Sequence, residues 1–556
     1  MSDSQEILNV LLVSGGGFQG LALIKGLLQA ERVRVVVADC FAENVTRYFA
    51  HRSLVVPPLA QEEAFVSALR KICRDEDIGV IFPCTEHELD CLARHAAEFD
   101  AVGARVAVSR QDLLGRLCNK EDLYALLKEE GLPGPALVDI ASDSVAWPLL
   151  GKPRKGWGGR GHVVLHTREA LLTRPMVEWK KDYLWQAFLT GFVEYSVDFA
   201  IDFAGAVSEL CLRERLRVSG GFAVVNRYEE EAQVRDLAGR FASAAVRRGG
   251  KGIFNLQILR ADGRYFISDV NPRIGTSAAG DHAVGVNLPL FVCGTASGRQ
   301  RVSPRASRPV TMVRYLEELL VVEELLMEVR GLVFDLDDTL MNQKHWIVGK
   351  LRGLHAQFKS RLPPESEFLA SGLMIVEEGN RARLIDAMAE KFGWSGNLKS
   401  ELIGAYRQIT PAARVYVDVW PALAELRRRG YRLAILTNNP PESQRQKLQA
   451  CGMQDTFAAV VYAAELEAEK PAVRGFTEVA ARLGVPPREL VMIGDHLYRD
   501  VAGALKAGYR HAFLMVREGG FFNFDVEIGQ ELAGIEQRFT RISQLRDLLR
   551  YLRGAP

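Results

Sequence analysis

Apolar positions in this chain gather into short runs separated by segments of helical periodicity, and the kind of run changes twice along its length. Residues 7–13, ILNVLLV, are apolar almost throughout and break into SGGGFQG, after which a helical pattern begins at Leu21. A run this short, closed by glycine, reads as a buried strand, so the segment predicts strand, turn and helix. VRVVVAD (33–39), IGVIFPC (78–84) and ARVAVS (104–109) continue the alternation. Strands apolar on both faces and separated by helices predict a parallel sheet with helices on either side. This first α/β unit is expected to end near residue 112.

Between Asn119 and about residue 322 the texture becomes α+β, with strands in hairpin-like pairs punctuated by glycine, and residues 299–309 read as a loop. GLVFDLDD, starting at Gly331, then restarts an α/β pattern that continues in YRLAILTNN (431–439), LVMIGD (490–495) and HAFLMV (511–516). Residues 345–415 are helical in pattern and interrupt this last sheet as a cap would. A chain of 556 residues exceeds the ~250–300 at which single cores stop growing. The expected domains are 1–112, 113–322 and 323–556.

Composition narrows the partners. With 48% hydrophobic and 25% charged residues and a net charge of +1, nothing in the electrostatics calls for nucleic acid or an anionic membrane. Arg427, Arg428 and Arg429 stand just before Gly430, where positive charge suits a helix C-terminus. The eight cysteines form no CxxC pair, which argues against a disulfide framework or a thiolate zinc site and for a reducing compartment. Acidic residues at the start and the lack of any run near ~18 apolar residues argue against a signal peptide and a membrane span, so a cytoplasmic location is expected. A homodimer is compatible with the sequence.

Gly15-x-Gly17-x-x-Gly20 follows a strand, opens a helix and precedes Asp39, which satisfies the spacing of a dinucleotide fingerprint. The competing reading is a tight strand-to-helix turn without a dinucleotide, and it is favoured because later motifs call for a different nucleotide. An NAD-binding front domain stays as the weaker alternative.

In LLGKPRKGWGGRGHVVL (149–165), Lys152, Arg154 and Lys155 precede Gly156, Gly158, Gly159 and Gly161. Backbone amides unobstructed by side chains can wrap phosphate oxygens, with lysine as the point charge. KGIFNLQILRADGRYFISDVNPRIG (251–275) reads as a hairpin that aims Gln257, Asp269 and Asn271 to one side, with Arg273 after them. Oxygen donors on adjacent strands suit a magnesium ion bridging nucleotide phosphates. These segments, with NKEDLYALLKEEGLPGP (119–135), resemble an ATP-grasp enzyme of the carbamoyl-phosphate-synthetase and biotin-carboxylase type over roughly residues 1–322. The resemblance implies that Lys120 and Lys152 bind ATP phosphates with the glycines Gly158 and Gly159, that Glu194 contacts the ribose, and that Gln257, Asp269 and Asn271 hold Mg²⁺. Arg273 would stabilise a carboxylate and its acyl phosphate. Asp269 replaces the usual glutamate, and Gln186-Ala187-Phe188 lacks the acidic residue often found after the glutamine.

The last unit carries Asp335 and Asp337 at the end of its first strand, Thr437 after ILTNN begins, Lys470 in EAEKPA, and Asp495 and Asp500 in IGDHLYRD. In a parallel sheet the carboxyl ends of strands face one crevice. An aspartate nucleophile, a second carboxylate two residues on as acid and base, and a cation to offset the crowded charge form a chemically coherent phosphatase. The set resembles the haloacid dehalogenase superfamily over about residues 330–556. It implies Asp335 as nucleophile, Asp337 as acid and base, Thr437 and Lys470 on phosphate, and Asp335, Asp495 and Asp500 toward Mg²⁺. His496 departs from the small residue common at its position.

The expected function is therefore bifunctional: an ATP-dependent carboxylate-amine ligase joined to a Mg²⁺ phosphatase, with a small carboxylate, an amine and a phosphorylated metabolite as partners. In one alternative a single half is catalytic and the other is a regulatory ligand-binding module. In another the ATP-grasp half makes a carbamoyl or carboxy phosphate.

Overall fold

The structure is a computed structural model that describes residues 7–142, 144–154, 161–294, 309–316, 318, 328–377, 383–520 and 538–552. The chain divides into two compact units, Met1–Leu319 and Leu320–Pro556.

In the first unit, β1 (Leu8–Val13), β2 (Val33–Asp39), β3 (Arg52–Val55), β4 (Ile78–Pro83) and β5 (Arg105–Val106) form a parallel sheet in the order β3-β2-β1-β4-β5. Successive side chains of a strand face opposite ways, so Val10 and Leu12 enter one core cluster while Leu11 and Val13 enter another. That double burial is what the continuous apolar runs encode. The helix Glu62–Asp75 covers one face with Phe65, Val66, Leu69 and Cys73, and carries Glu62 and Glu63 in its first turn and Arg74 in its last, as the helix dipole favours. ARVAVS contributes a strand only at Arg105–Val106.

The rest of the unit is antiparallel. β6 (Leu149–Pro153), β7 (Val163–Leu165) and β8 (Tyr183–Ala187) form a three-stranded sheet, β7-β6-β8. β9 (Val193–Ile201), β10 (Cys211–Ser219), β11 (Phe222–Tyr228), β12 (Gly252–Ala261), β13 (Arg264–Asn271) and β14 (Val310–Val313) form a six-stranded sheet, β13-β12-β9-β10-β11-β14. On one face Phe199 stacks on Phe254 with centroids 5.0 Å apart, inside a cluster that also takes Phe241 from the helix Ala232–Arg247. The other face is left for the site. Gly156, Gly158, Gly159 and Lys155 lie outside the described residues, as does most of the loop expected at 299–309.

The second unit is a six-stranded parallel sheet of β15 (Gly331–Phe334), β16 (Arg432–Thr437), β17 (Ala459–Tyr462), β18 (Leu490–Gly494), β19 (His511–Met515) and β20 (Phe539–Ile542), ordered β17-β16-β15-β18-β19-β20. Leu332 and Phe334 face one core and Val333 the other. Strand order reverses at β15, which lies between β16 and β18, and that reversal opens a crevice at the strands' carboxyl ends. Between β15 and β16 stand the helices Gln343–Phe358, Glu365–Glu377, Leu384–Phe392 and Gly396–Gln408, which share a core of their own built on Leu351, Leu354, Phe368, Met388 and Leu402.

Two candidate active sites

In the first unit one cavity of about 580 Å³ collects Lys120, Lys152, Glu194, Gln257, Asp269, Asn271 and Arg273. The hairpin β12–β13 explains why three of these residues lie together: Gln257 and Asp269 are register partners, and Asn271 lies two residues beyond Asp269 on the same face. Lys152 reaches the cavity from β6, and Lys120 from the first turn of the helix Lys120–Glu129, whose cap Asn119 accepts from the Glu121 N–H at 3.0 Å. Both lysines are buried. Burial depresses the Lys152 ammonium, with Asp269 opposing and Lys120 adding to the fall. Arg273 donates to Asn271 Oδ1 at 3.2 Å and to the Ile274 carbonyl at 3.1 Å, while its buried Nε has no partner. Glu194 is already paired with Arg215 across the β9–β10 ladder.

In the second unit a smaller cavity of about 50 Å³ is lined by Asp335, Asp337, Thr437, Lys470, Asp495 and Asp500. Asp335 extends β15 by one ladder bond, its N–H donating to the Ile493 carbonyl at 2.8 Å. Asp338 then takes a left-handed backbone, φ 52°, and accepts from the Gln343 N–H at 3.0 Å, which turns the chain back after Asp337. Lys470 donates to Asp335 Oδ1 and Asp500 Oδ1, each at 2.6 Å. Burial alone would depress that ammonium, but the two carboxylates outweigh it and hold Lys470 above its ordinary value. Burial pushes the Asp335 carboxyl up to about 7, with Asp500 and Asp337 adding to the rise and Lys470 opposing it. Burial, with Asp335 and Asp500 nearby, holds Asp495 well above the usual carboxylate range.

Three family models match the chain. Residues 10–107 match a PylC-like N-terminal domain, residues 117–277 an ATP-grasp domain, and residues 329–508 a haloacid dehalogenase-like hydrolase. The chain is an ATP-grasp domain with a PylC-like N-terminus, fused to a haloacid dehalogenase-like hydrolase domain. Among curated relatives, the glyceraldehyde 3-phosphate phosphatase of Methanopyrus kandleri is 29% identical over 233 residues, covering 40% of this chain and 98% of that protein. The phosphoserine phosphatase of Thermus thermophilus is 36% identical over 130 residues, 23% of this chain and 52% of that protein. Among solved structures, N5-carboxyaminoimidazole synthetase from Staphylococcus aureus in complex with ADP aligns with a TM-score of 0.46 at 14% identity, over 57% of this chain and 84% of that one.

The hydrolase half holds Asp337 differently from the simple picture of two carboxylates side by side. Both Asp337 oxygens accept from Lys447 Nζ, at 2.6 and 2.8 Å, and Oδ2 also accepts from Asn439 at 2.6 Å and Gln444 at 2.9 Å. Gln444 donates as well to Thr437 Oγ1 at 2.8 Å, linking Thr437 to Asp337. Sequence reading missed Asn439, Gln444 and Lys447. The signal available was weak: an Asn-Asn pair at a strand end and two polar residues three apart on the helix Pro441–Ala450.

Divalent cation chemistry fits the residues present in both halves. The Asp495 side chain has no hydrogen bond or ion pair among the described residues, and burial together with Asp335 and Asp500 penalises its ionised form, a penalty that a bound cation would offset. The donors are all oxygen, as Mg²⁺ prefers, and one or two carboxylates per site suffice when a phosphate completes the shell. Among the described residues the only three His, Cys, Asp or Glu side chains with ligating atoms within 4.8 Å of one another are Glu62, Cys91 and His95, and there Glu62 is already bonded to Arg94 and His95.

The glycine motif at the front is a packing device. A Cβ on Gly20 would lie 1.8 Å from the Gly15 carbonyl oxygen, and one on Gly16 would lie 2.7 Å from Asp39 Oδ2. Asp39, the residue that would meet a ribose, spends Oδ2 on the Gly16 N–H at 2.8 Å and Oδ1 on the Phe41 N–H at 3.0 Å.

Proposed function

We propose that the chain is a bifunctional enzyme: an ATP-dependent, ADP-forming carboxylate-amine ligase and a phosphatase that acts on a small phosphorylated metabolite through an aspartyl phosphate. What supports this reading is that each unit lines a cavity of its own with charged side chains of the kinds expected there, and the two linings share no residue.

In the ligase half, Lys120 and Lys152 bind the ATP phosphates, and Glu194 takes the ribose edge by exchanging part of its bond with Arg215. Gln257, Asp269 and Asn271 would hold Mg²⁺, which when bound neutralises phosphate charge. Arg273 orients the substrate carboxylate, whose oxygen attacks the γ-phosphorus and releases ADP. An amine then adds to the acyl phosphate and expels inorganic phosphate. Anion meets anion in the first step, so the positive side chains contribute mainly by positioning and charge stabilisation.

In the phosphatase half, Asp335 attacks phosphorus and Lys470 and Thr437 bind the phosphoryl oxygens. Asp335, Asp495 and Asp500 would hold Mg²⁺, which when bound screens the carboxylates from the substrate. Asp337 protonates the leaving oxygen and later accepts a proton from the water that hydrolyses the aspartyl phosphate. Lys447, Asn439 and Gln444 all donate to Asp337 in the resting site, so acting as the acid requires Asp337 to take up a proton from solvent as Lys447 gives way to the entering substrate, and that proton then passes to the leaving oxygen.

Isotopes test both chemistries. Acid quenching of a turnover with a ³²P-labelled phosphomonoester should leave label on Asp335. A carboxylate labelled with ¹⁸O that supports ADP formation should pass one ¹⁸O into inorganic phosphate. Unlabelled Asp335 together with unlabelled phosphate contradicts the assignment.

A further inference from the structure

Phe18, placed by the glycine turn at the start of the helix Phe18–Leu27, is unexplained by nucleotide or phosphate chemistry, and so is Phe222 at the start of β11. Both line the 580 Å³ cavity, yet Phe18 is 45% and Phe222 41% exposed, and Val218 beside them is 45% exposed. Their rings meet edge to face, 6.1 Å between centroids at 70°, and the Arg314 guanidinium sits 5.8 Å from the Phe18 ring centre. Three large apolar side chains held open to water at the wall of a charged cavity form a surface that gains by being covered.

The cavity has a second apolar wall, and it lies on different elements. Leu150 and Val164 come from β6 and β7, and Phe188 follows β8, next to Lys152. The Phe18 wall instead belongs with Arg273: Ile274, next to Arg273, and Ala278, after the Arg273–Ser277 loop, pack in one core cluster with Ala22 and Leu23 of the Phe18 helix. On the ligase reading, a nucleotide base beside Lys152 would take the first wall and an acid held by Arg273 would face the second.

We infer that the acid activated by the ligase half carries an aromatic or bulky apolar group, and that Phe18, Val218 and Phe222 form the subsite for it. This rests on the ligase reading above and names its substrate class. The Arg314 guanidinium lies over the Phe18 ring, and the exposed parts of Phe18 and Phe222 are left to meet an incoming group. The glycine turn thereby gains a use without a dinucleotide: it presents Phe18 to the acid.

The test uses the full chain with Mg·ATP and matched acids, 3-phenylpropionate against propionate and L-phenylalanine against L-alanine, followed by ADP release with hydroxylamine present to trap acyl phosphate as hydroxamate. The half-saturating concentration is expected to be at least tenfold lower for the phenyl member of a productive pair. Phe222→Ala and Phe18→Leu should raise it at least tenfold more than they raise the half-saturating concentration of ATP, with circular dichroism confirming that each variant is folded. Equal saturation by phenyl and short acids overturns the inference, as does a larger effect of Phe222→Ala on ATP than on the acid, since the base would then occupy this wall. No ADP release with any acid, when ATP binding is intact, takes down the ligase reading itself.

Discussion

At the scale of single residues, the phosphatase half depends on how buried charge is divided. Lys447 and Asp337 are both buried, and removing the cation leaves an uncompensated carboxylate in a place with little water. Breaking such a pair costs about 3–5 kcal/mol, whereas removing both partners costs much less. Lys447→Met should therefore lower the stability of the second unit by about that amount in urea unfolding, and the double variant Asp337→Asn, Lys447→Met should recover a large part of it. Equal losses in the single and double variants would show that the pair is not the stabilising contact.

His511 on β19 gives the pH dependence a sign. Burial lowers its pKa from the ordinary value near 6.5 to about 4, with Arg538 adding to the fall, and its Nε2 lies 3.0 Å from Thr540 Oγ1. The folded unit keeps this ring neutral while the unfolded chain protonates it, so its contribution is fully present above about 6.5 and is lost as pH falls toward about 4. At pH 5 the loss amounts to about 2 kcal/mol. Urea unfolding of the native protein and of His511→Asn at pH 7.5 and pH 5 should show a smaller acid-induced loss in the variant.

At the scale of elements, turns aim the chemistry. Gly494 ends β18, and a Cβ there would lie 2.4 Å from the Asp500 carboxyl group. Gly494→Ala should displace Asp500 from Lys470 and lower phosphatase kcat by about a hundredfold, as misplacement by about an ångström does, while ADP formation in the other unit continues. Unchanged phosphatase kcat would mean that Asp500 does not set the position of Lys470.

Element by element, the sequence was legible where one physical pattern dominated. The central strands β1, β2, β15, β16 and β18 are buried on both faces, and their continuous apolar runs announced them. The four-residue strands β3, β17 and β20 lie at sheet edges or outer positions and lack a run long enough to stand out. ARVAVS shortened because the chain leaves the sheet to bond elsewhere: Ser109 donates to the Lys251 carbonyl and Arg110 N–H to the Gly249 carbonyl. Residues now found around each cavity were legible when they sat in a motif at a strand end, as Asp335, Asp495 and Asp269 do. Lys447 was not, because a lysine on a helix reads as solvated until sheet order brings that helix against Asp337.

For the whole molecule, each unit lines a cavity with residues of its own. The ATP-grasp cavity draws on both antiparallel sheets of Met1–Leu319, and the phosphatase cavity lies wholly within Leu320–Pro556. No helix among the described residues is long and apolar enough to cross a membrane. Fusion of an ATP-grasp unit to a haloacid dehalogenase-like phosphatase unit suits the proposed sequential steps on one small metabolite.

The most direct measurement is a paired assay on two variants of the full chain, recording ADP formation from ATP and phosphate release from a phosphomonoester in each. Asp335→Asn should lose at least about a thousandfold in phosphatase kcat, as removal of a nucleophile does, and keep ADP formation; Lys152→Ala should lose ADP formation and keep the phosphatase. Loss of both activities in either variant, or of neither in both, contradicts two independent catalytic centres.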